Sequence, residues 1–264
     1  MTYKCLLYEV KDGIATLTLN RPERLNALGD TLREDLFAAV GRASADPDVR
    51  VMVVTGAGKG FCAGGDVKAM NERKESGGER PLAEKVAPLR DQVLFAMRDA
   101  PQPIIAAVNG AAAGAGMNLA LACDLRIAST AAKFAQAFVR RGLHPDWGGT
   151  YFLPRAVGIA KAAELIFTGD VIDAAEALRL GIVSRVVAPE ELLPVAYELA
   201  RRIAAGPPVA IRLAKRALQR NAESDLRSAL EFETFAQNAC FETEDAREGI
   251  RAFVEKRTPV FKGR

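Results

Sequence analysis

Alternating apolar and polar positions open the chain. Across residues 8–20 the pattern has the period of two that is typical of half-buried β-strands, and Lys11-Asp12-Gly13 divides it. We therefore predict two short strands joined by a tight turn. Beyond Thr31 the apolar residues recur at helical spacing, which predicts a helix with Thr31 as its N-cap. The apolar face of that helix comprises Leu32, Leu36, Ala39 and Val40.

A buried strand, a glycine-rich loop and a helix then occur in this order twice. Each strand is a short run rich in valine or isoleucine, as expected of a strand covered on both faces. This organisation predicts an α/β core. The first copy comprises strand 49–55, loop 56–65 and a helix from Asp66; the second comprises strand 104–108, loop 109–116 and helix 117–122, with a further strand at 125–129.

The C-terminal part of the chain is dominated by helical patterns. Pro207-Pro208 is its clearest break, and we predict an α/β core over residues 1–200 and a helical region over residues 201–264. Between the two glycine-rich loops, a charged loop over 71–80 and a helix over 82–99 are predicted. Toward the C-terminus, helices are predicted at 174–180, 192–205, 209–219, 226–238 and 245–255, with a strand at 183–187.

The composition narrows the functional classes. Apolar residues make up 49% and charged residues 26% of the 264 residues, which suits a protein with a sizeable buried core. The net charge of +3 comes from scattered basic residues, so no nucleic-acid partner is expected. Four cysteines without C-x-x-C spacing and a single histidine argue against a metal site and for free thiols. We expect a cytoplasmic protein with no membrane partner, since no leader-like or uninterrupted apolar segment is present.

The two glycine-rich loops are the best candidates for chemistry. Each precedes a helix, where backbone N–H groups lack intrahelical partners and the helix dipole favours negative charge. Two such donors converging on one oxygen would form an oxyanion hole, here from residues 61–66 and 114–116. For either loop alone, glycines that merely permit a tight turn are an equally good interpretation. The sequence contains no G-x-S-x-G elbow, Walker loop or complete G-x-G-x-x-G.

Further motifs follow in a fixed order along the whole chain. They are Asn20–Ala27, Phe61–Asp66, Asn109–Gly116, Cys123-Asp124, Pro145–Thr150, Thr168–Asp170, Ala177–Val183 and Glu248–Arg257. Together they resemble the crotonase (enoyl-CoA hydratase/isomerase) superfamily. The resemblance implies a spiral of β-β-α units with a C-terminal helical trimerisation region, assembled as a homotrimer or a dimer of trimers. It also implies an acyl-CoA substrate, with coenzyme A as part of the thioester and no permanently bound cofactor.

The resemblance assigns roles to individual residues. The two backbone N–H groups that hold the thioester oxygen in this family map onto Gly65 and Ala115. Its C-terminal helix also contributes to a coenzyme A site, which can belong to a neighbouring subunit. Asp66 is in addition expected to cap the helix that follows it. The complete set predicted to bind coenzyme A is Arg24, Ala27, Ala63, Gly65, Asp66, Phe253 and Lys256.

The chain departs from typical hydratases of this family at two positions. Those enzymes carry two glutamates that position and activate water, and the two positions map onto Asn118 and Phe138. An amide orients a water or a carbonyl without usefully exchanging a proton, and a phenyl ring only packs. Hydration by the two-glutamate route is therefore not expected. Asn118, Phe138 and Trp147 are predicted to line the substrate pocket.

One carboxylate stands in a suitable segment. Asp146 occupies the position of the catalytic aspartate in isomerases that act on ring-epoxidised phenylacetyl-CoA, shift enoyl double bonds and also lack both glutamates. The resemblance thus implies an isomerase of phenylacetate or fatty acid metabolism, in which Asp146 moves a proton while the oxyanion hole holds a dienolate. Without the resemblance, Pro145-Asp146 is more simply a turn pair.

Three other functions stay open. They are an unconventional enoyl-CoA hydratase, a dehalogenase-like enzyme of a subgroup with tryptophan in place of Phe138, and a non-catalytic coenzyme A- or RNA-binding relative. His144, the only histidine, is a second candidate base, whereas Cys62 is expected to pack and Asp124 to accept a structural hydrogen bond. The acyl group is not specified, because in this family it depends on the pocket walls and a variable segment, here 71–90.

Overall fold

The structure, a computed structural model, describes residues 2–76 and 89–264. Within these residues the strands belong to one sheet of six strands and one of four. The strands are β1 (Leu6–Lys11), β2 (Ile14–Leu19), β3 (Val51–Gly56), β4 (Gly60–Cys62), β5 (Ile104–Val108), β6 (Ala111–Ala113), β7 (Leu125–Ser129), β8 (Lys133–Ala135), β9 (Val171–Asp173) and β10 (Arg185–Val187). The larger sheet has the order β1-β2-β3-β5-β7-β10, and the smaller one β4-β6-β8-β9.

Helices follow most of the strand pairs. They are α1 (Leu32–Ala45), α2 (Val67–Glu75), α3 (Leu89–Asp99), α4 (Ala115–Ala122), α5 (Gly149–Val157), α6 (Ile159–Thr168), α7 (Ala174–Arg179), α8 (Leu192–Ala204), α9 (Pro208–Asn221), α10 (Leu226–Phe241) and α11 (Glu244–Val254). None of the helices in the described part of the chain is long and apolar enough to cross a membrane.

From β3 to β8, successive strands alternate between the two sheets. β3, β5 and β7 are parallel neighbours in the larger sheet, and the strands that follow them, β4, β6 and β8, are parallel neighbours in the smaller one. Each of the pairs β3-β4, β5-β6 and β7-β8 therefore adds one strand to each sheet before the next helix. This spiral of β-β-α units, with helices at the C-terminus, confirms the predicted α/β fold class.

The main core lies between the sheets and the helices that follow them. Fully buried side chains of α1, α3 and α4 pack there, with Leu36, Met97 and Leu119 as examples. The opposite face of the larger sheet is covered by α8, whose Leu192 and Ala196 pack against apolar residues of β2, β3, β5 and β7. The site-forming loops thus start from strands that are held on both sides.

The N-terminal hairpin and the first helix agree with the hydrophobic pattern. β1 and β2 pair antiparallel around Asp12 and Gly13, whose φ angles of +52° and +75° suit a tight hairpin turn. The predicted apolar face of α1 is buried. Thr31 is the N-cap residue of α1, as predicted, but its hydroxyl does not accept from the helix backbone and donates instead to Asp35 Oδ2 at 3.1 Å.

The smaller sheet was not predicted. β4 and β6 lie inside the two predicted glycine-rich loops, and runs of three residues are too short to show the alternation from which a strand is recognised. The loop predicted from residue 71 is also wrong in its first part, because α2 continues to Glu75. Of the helix predicted over 82–99, the structure describes Leu89–Asp99, and the rest lies outside the described residues. Helices α5 and α6 had no predicted counterpart.

A buried cation attaches α9 to the core. Lys215 is 7% exposed, and its Nζ lies 2.9 Å from Asp124 Oδ2. The same Nζ donates to the carbonyl oxygens of Met97 and Gln102 at 3.2 and 2.9 Å. Asp124 also accepts from the Ile104 N–H at 2.8 Å, which confirms its predicted structural role. The boundary predicted at residue 200 stays a prediction.

Replacing Lys215 by methionine is expected to lower the free energy of unfolding by about 2–3 kcal/mol. The substitution leaves the partly buried Asp124 carboxylate and two buried carbonyl oxygens without their cation. The loss is smaller than for a fully buried ion pair because Asp124 is 23% exposed. Urea unfolding followed by circular dichroism measures the change. The exposed neighbour Arg216 gives the control, since Arg216→Met is expected to stay within about 0.5 kcal/mol. Equal effects of the two substitutions would contradict the role of Lys215.

Candidate active site

Two asparagine side chains hold the loop between β3 and β4 in shape. Asn26 Nδ2 donates to the carbonyl oxygens of Ala57 and Gly60 at 2.9 and 2.8 Å. Asn109 Nδ2 donates to that of Gly60 at 3.1 Å. Asn26 is fully buried at a φ of +56°, a left-handed conformation that asparagine adopts more readily than most residues. The loop is therefore fastened to the segments before and after it.

The two glycine-rich loops meet through backbone atoms. A Cβ on Gly116 would lie 1.9 Å from the carbonyl oxygen of Cys62, and a Cβ on Gly64 would lie 3.3 Å from the backbone nitrogen of Ala115. Gly64 also has a φ of +88°, which glycine alone adopts without strain. Glycine is thus required where the loops touch. The structure brings Gly65 and Ala115, the predicted donors, to this junction.

The backbone N–H groups at the junction are available to a ligand. In the part of the chain that the structure describes, neither Gly65 nor Ala115 donates its N–H to a protein acceptor. Ala115 is the first residue of α4, where helix geometry leaves the N–H without an intrahelical partner. An oxyanion hole requires two such donors directed at one oxygen. That Gly65 and Ala115 form this hole stays a prediction.

The N-terminal residues predicted to bind coenzyme A lie together beside the first loop. The Ala63 N–H donates to the Leu25 carbonyl oxygen at 2.9 Å, and the Ala27 N–H donates to that of Arg24 at 3.1 Å. Ala27 is buried, whereas the Arg24 side chain is exposed. The guanidinium therefore stands at the solvent edge of this group, where a phosphate can reach it.

Asp66 is engaged in the protein itself. Its Oδ1 accepts from the Ala69 N–H at 3.2 Å, which confirms that it caps α2. Its Oδ2 pairs with Arg21 at 3.0 Å, and both side chains are nearly buried. Burial by itself would raise the pKa of Asp66, but the Ala69 N–H and the Arg21 guanidinium outweigh it, so the pKa lies below its ordinary value. A role of Asp66 toward coenzyme A stays a prediction.

Phe253 and Lys256 lie apart from this group on a single chain. Phe253 is 86% exposed near the end of α11, and Lys256 follows in an exposed left-handed turn with a φ of +54°. Neither is buried against the loops of its own chain. Their predicted contribution to a coenzyme A site stays a prediction.

Asp146 lies in a strained turn before α5. The next residue, Trp147, is only 5% exposed and has a φ of +52°, a conformation that bulky side chains rarely adopt. Gly148 continues the left-handed turn at a φ of +70°. The Asp146 Oδ2 atom accepts from Arg90 Nη1 at 3.1 Å, and its side chain is 36% exposed. The Arg90 guanidinium thus holds one oxygen of the carboxylate in place.

Asn118 and Phe138, the remaining predicted pocket residues, lie between this turn and the junction of the two glycine-rich loops, called the oxyanion junction below. Asn118, fully buried on α4, donates from Nδ2 to the Asp146 carbonyl oxygen at 2.7 Å. The ring of Phe138 lies against Gly114, with its Cζ 3.4 Å from where a Cβ of that glycine would be. The donors, the amide and the phenyl ring therefore lie around the beginning of α4, and Asn118 connects them to the backbone of the turn that carries Asp146.

Two residues of this site were missed from sequence. Gln136 is 1% exposed, and its Nε2 donates to Asn118 Oδ1 at 2.7 Å. Its only signal was a polar residue in an apolar stretch, which implies a buried hydrogen-bond partner without naming it. Arg90 is one of many scattered basic residues, and nothing local connects it to Asp146, 56 positions away.

The other candidates for acid, base or nucleophile are less suited. His144 is exposed. The thiol of Cys62 is fully buried, and this burial raises its pKa to about 12, so it is not a thiolate nucleophile near neutral pH. This agrees with the packing role predicted for Cys62.

Comparison with known proteins gives consistent matches. The family description "Enoyl-CoA hydratase/isomerase" matches residues 9–264. The chain is 41% identical to a short-chain-enoyl-CoA hydratase of Clostridium acetobutylicum, covering 96% of this chain and 95% of that protein. It is 39% identical to the 1,2-epoxyphenylacetyl-CoA isomerase of Escherichia coli, covering 98% of each. The solved structure of an enoyl-CoA hydratase from Bacillus anthracis superposes with a TM-score of 0.92 at 37% identity, over 99% of this chain and 100% of that one.

Proposed function

The chain belongs to the enoyl-CoA hydratase/isomerase family, and from this premise we propose that it is an acyl-CoA isomerase with Asp146 as its acid and base. One observation carries the proposal. The carboxylate of Asp146 lies in the turn that Asn118 connects to the oxyanion junction, whereas the positions of the two hydratase glutamates hold Asn118 and Phe138. One proton-transferring group suffices to isomerise a double bond.

The proposed mechanism has two proton transfers. The thioester oxygen of a 3-enoyl-CoA accepts from the N–H groups of Gly65 and Ala115. Asp146 removes a proton from the α-carbon, and the electron pair of that C–H bond moves into a dienolate whose negative oxygen is stabilised by the two donors. The same proton then returns from Asp146 to the γ-carbon, which leaves the conjugated 2-enoyl thioester. Opening of a ring epoxide next to the acyl group would use the same stabilised enolate.

The surroundings of Asp146 support this division of roles. Arg90 pairs with the carboxylate at 3.1 Å and fixes its position before the reaction. Phe138 and the buried Trp147 supply apolar surface that disfavours water near the dienolate. We further propose that Arg24, Ala27 and Ala63 hold the coenzyme A part of the substrate, and that Phe253 and Lys256 complete this site in a trimer.

Assay of the wild-type protein with a 3-enoyl-CoA tests the proposal. Isomerisation creates a conjugated thioester, so the ultraviolet absorbance of that chromophore is expected to rise with saturation kinetics. A denatured sample gives the baseline. Absence of any rise, together with measurable binding of the substrate, would contradict the isomerase assignment and support a non-catalytic coenzyme A-binding protein.

Hydration is the second candidate, favoured by the 41% identity to a protein named short-chain-enoyl-CoA hydratase. In this case Asn118 would orient a water, and Asp146 would supply the carboxylate that activates it. Addition of crotonyl-CoA distinguishes the two functions, because hydration removes the conjugated absorbance that isomerisation creates. A faster reaction with crotonyl-CoA than with a 3-enoyl-CoA would make hydration the main activity.

A further inference from the structure

Two buried amides form a directional chain that ends on the Asp146 backbone. Gln136 Nε2 donates to Asn118 Oδ1 at 2.7 Å, and Asn118 Nδ2 donates to the Asp146 carbonyl oxygen at 2.7 Å. A backbone carbonyl only accepts, so Asn118 must present its NH₂ group there and its oxygen to Gln136. This requirement in turn orients Gln136. Both side chains are almost completely buried, at 0% and 1% exposed.

The end of this chain carries the strained turn. Trp147 and Gly148 are both left-handed directly after the carbonyl group that Asn118 holds. The turn also packs directly on Asn118, since a Cβ on Gly149 would lie 2.4 Å from its Nδ2. A bulky residue stays in a left-handed conformation only where several contacts with its surroundings hold the backbone there. The hydrogen bond from Asn118 and the packing of Gly149 supply two of these constraints.

We propose that Gln136 and Asn118 are positioning residues, which hold the Asp146 turn so that its carboxylate reaches the substrate carbons. The proposal rests on the proposed function of Asp146. Gln136 acts through Asn118, and Asn118 acts through the backbone of Asp146. Asn118, at the position of one hydratase glutamate, would in this way hold Asp146, the proposed acid and base, in place.

Substitutions along the chain are expected to lower kcat with little change in KM. Asn118→Ala removes the direct bond and is expected to lower kcat by about 10²-fold, because a displacement of about 1 Å has an effect of this size. Gln136→Met keeps the length of the side chain and removes the outer bond, so about a 10-fold loss is expected. The double variant should be no worse than Asn118→Ala alone, since the two residues act in series.

The fluorescence of Trp147, the only tryptophan of the chain, reports whether the turn keeps its structure, independently of enzymatic activity. Trp147 is buried beside Asp146, so its fluorescence emission is expected to shift to longer wavelength and acrylamide quenching to increase in both variants. The matched control is Gln102→Met. Gln102 is also a buried glutamine, and its Nε2 donates to the backbone carbonyl oxygens of Ala43 and Val49. Within the described part of the chain, none of its hydrogen bonds goes to a residue of the site. Its variant should leave kcat and the emission of Trp147 unchanged.

The possible outcomes separate this proposal from the proposed function. Unchanged Trp147 emission and kcat in Asn118→Ala and Gln136→Met would overturn the positioning role, as would a change in KM alone or an equal loss in Gln102→Met. If Asn118→Ala does not fold, Gln136→Met alone decides, because it leaves the Asn118–Asp146 bond in place. The wild-type protein could lack isomerase activity while the variants still shift the emission of Trp147 to longer wavelength. That result would contradict the proposed function and support the role of Gln136 and Asn118 in holding the turn.

Discussion

Replacement of Asp146 by asparagine is expected to lower kcat for isomerisation of a 3-enoyl-CoA by about 10²–10⁴-fold, the contribution typical of a positioned general acid or base. The amide has nearly the shape of the carboxylate and can still accept from Arg90, so the fold of the turn should persist. It cannot take up the α-proton. Binding of substrate depends on other groups, so KM is expected to change much less than kcat.

A second aspartate provides the control for this experiment. Asp91 pairs with the same arginine, its Oδ1 lying 3.1 Å from Arg90 Nε, but it belongs to α3 and not to the turn. Asp91→Asn therefore perturbs the ion pairs of Arg90 without removing the proposed base, and kcat should stay within about twofold. Asp146→Asn with the activity of the wild type would refute the catalytic role. Hydration lost with isomerisation would indicate that both reactions use this carboxylate.

Replacement of Gly116 by alanine is expected to damage both stability and activity. Alanine normally stabilises a helix position relative to glycine by about 1 kcal/mol. At Gly116 the new methyl group would lie 1.9 Å from the Cys62 carbonyl oxygen, which is backbone and cannot rotate away. The two loops must therefore separate. Overpacking of this kind lowers the free energy of unfolding by about 1–3 kcal/mol.

The same separation should disturb the oxyanion junction. Gly65 and Ala115 belong to different loops, so moving the loops apart misplaces one donor relative to the other. Loss of a single oxyanion donor typically lowers kcat by about 10²–10³-fold, and this range is expected for Gly116→Ala. Urea unfolding and steady-state kinetics measure the two effects. Wild-type kcat in a folded Gly116→Ala protein would show that the loops do not jointly form the hole.

Gly41 gives a control of opposite sign. It lies on α1, and the position that a Cβ would occupy has nothing within 4 Å of it, so alanine fits without a clash. Gly41→Ala is expected to raise the free energy of unfolding by about 0.5–1 kcal/mol and leave kcat unchanged. Opposite effects of the two substitutions would show that contacts around the helix, and not helix propensity, decide the effect at Gly116.

Local patterns predicted those parts of the fold whose cause is local. The hairpin of β1 and β2 follows from alternation and a turn that suits Asp12 and Gly13, and the buried face of α1 follows from helical spacing. β4 and β6 could not be predicted, because strands of only three residues are stabilised by their neighbours in the smaller sheet. The N-cap position of Thr31 was also predicted from local pattern, whereas the bond from its hydroxyl to Asp35 was not.

Contacts between distant residues completed the candidate site. The motifs around Phe61–Asp66, Gly114–Gly116 and Asp146 were sufficient to suggest an enolate-stabilising enzyme. They did not show that Arg90 pairs with Asp146 or that Gln136 reaches it through Asn118. A sequence records which groups are present, whereas hydrogen bonds across tens of residues depend on how the elements pack.

The sequence by itself determined the repeated strand, loop and helix order, the family, and the replacement of both hydratase glutamates by Asn118 and Phe138. These are properties of residue type and order. The tertiary structure alone decided that the two glycine-rich loops meet at Gly64, Gly116 and the Cys62 carbonyl group, and that Asp146 is held in a left-handed turn above α4. The physical reason is that close backbone contact and burial arise only when separate elements are packed together.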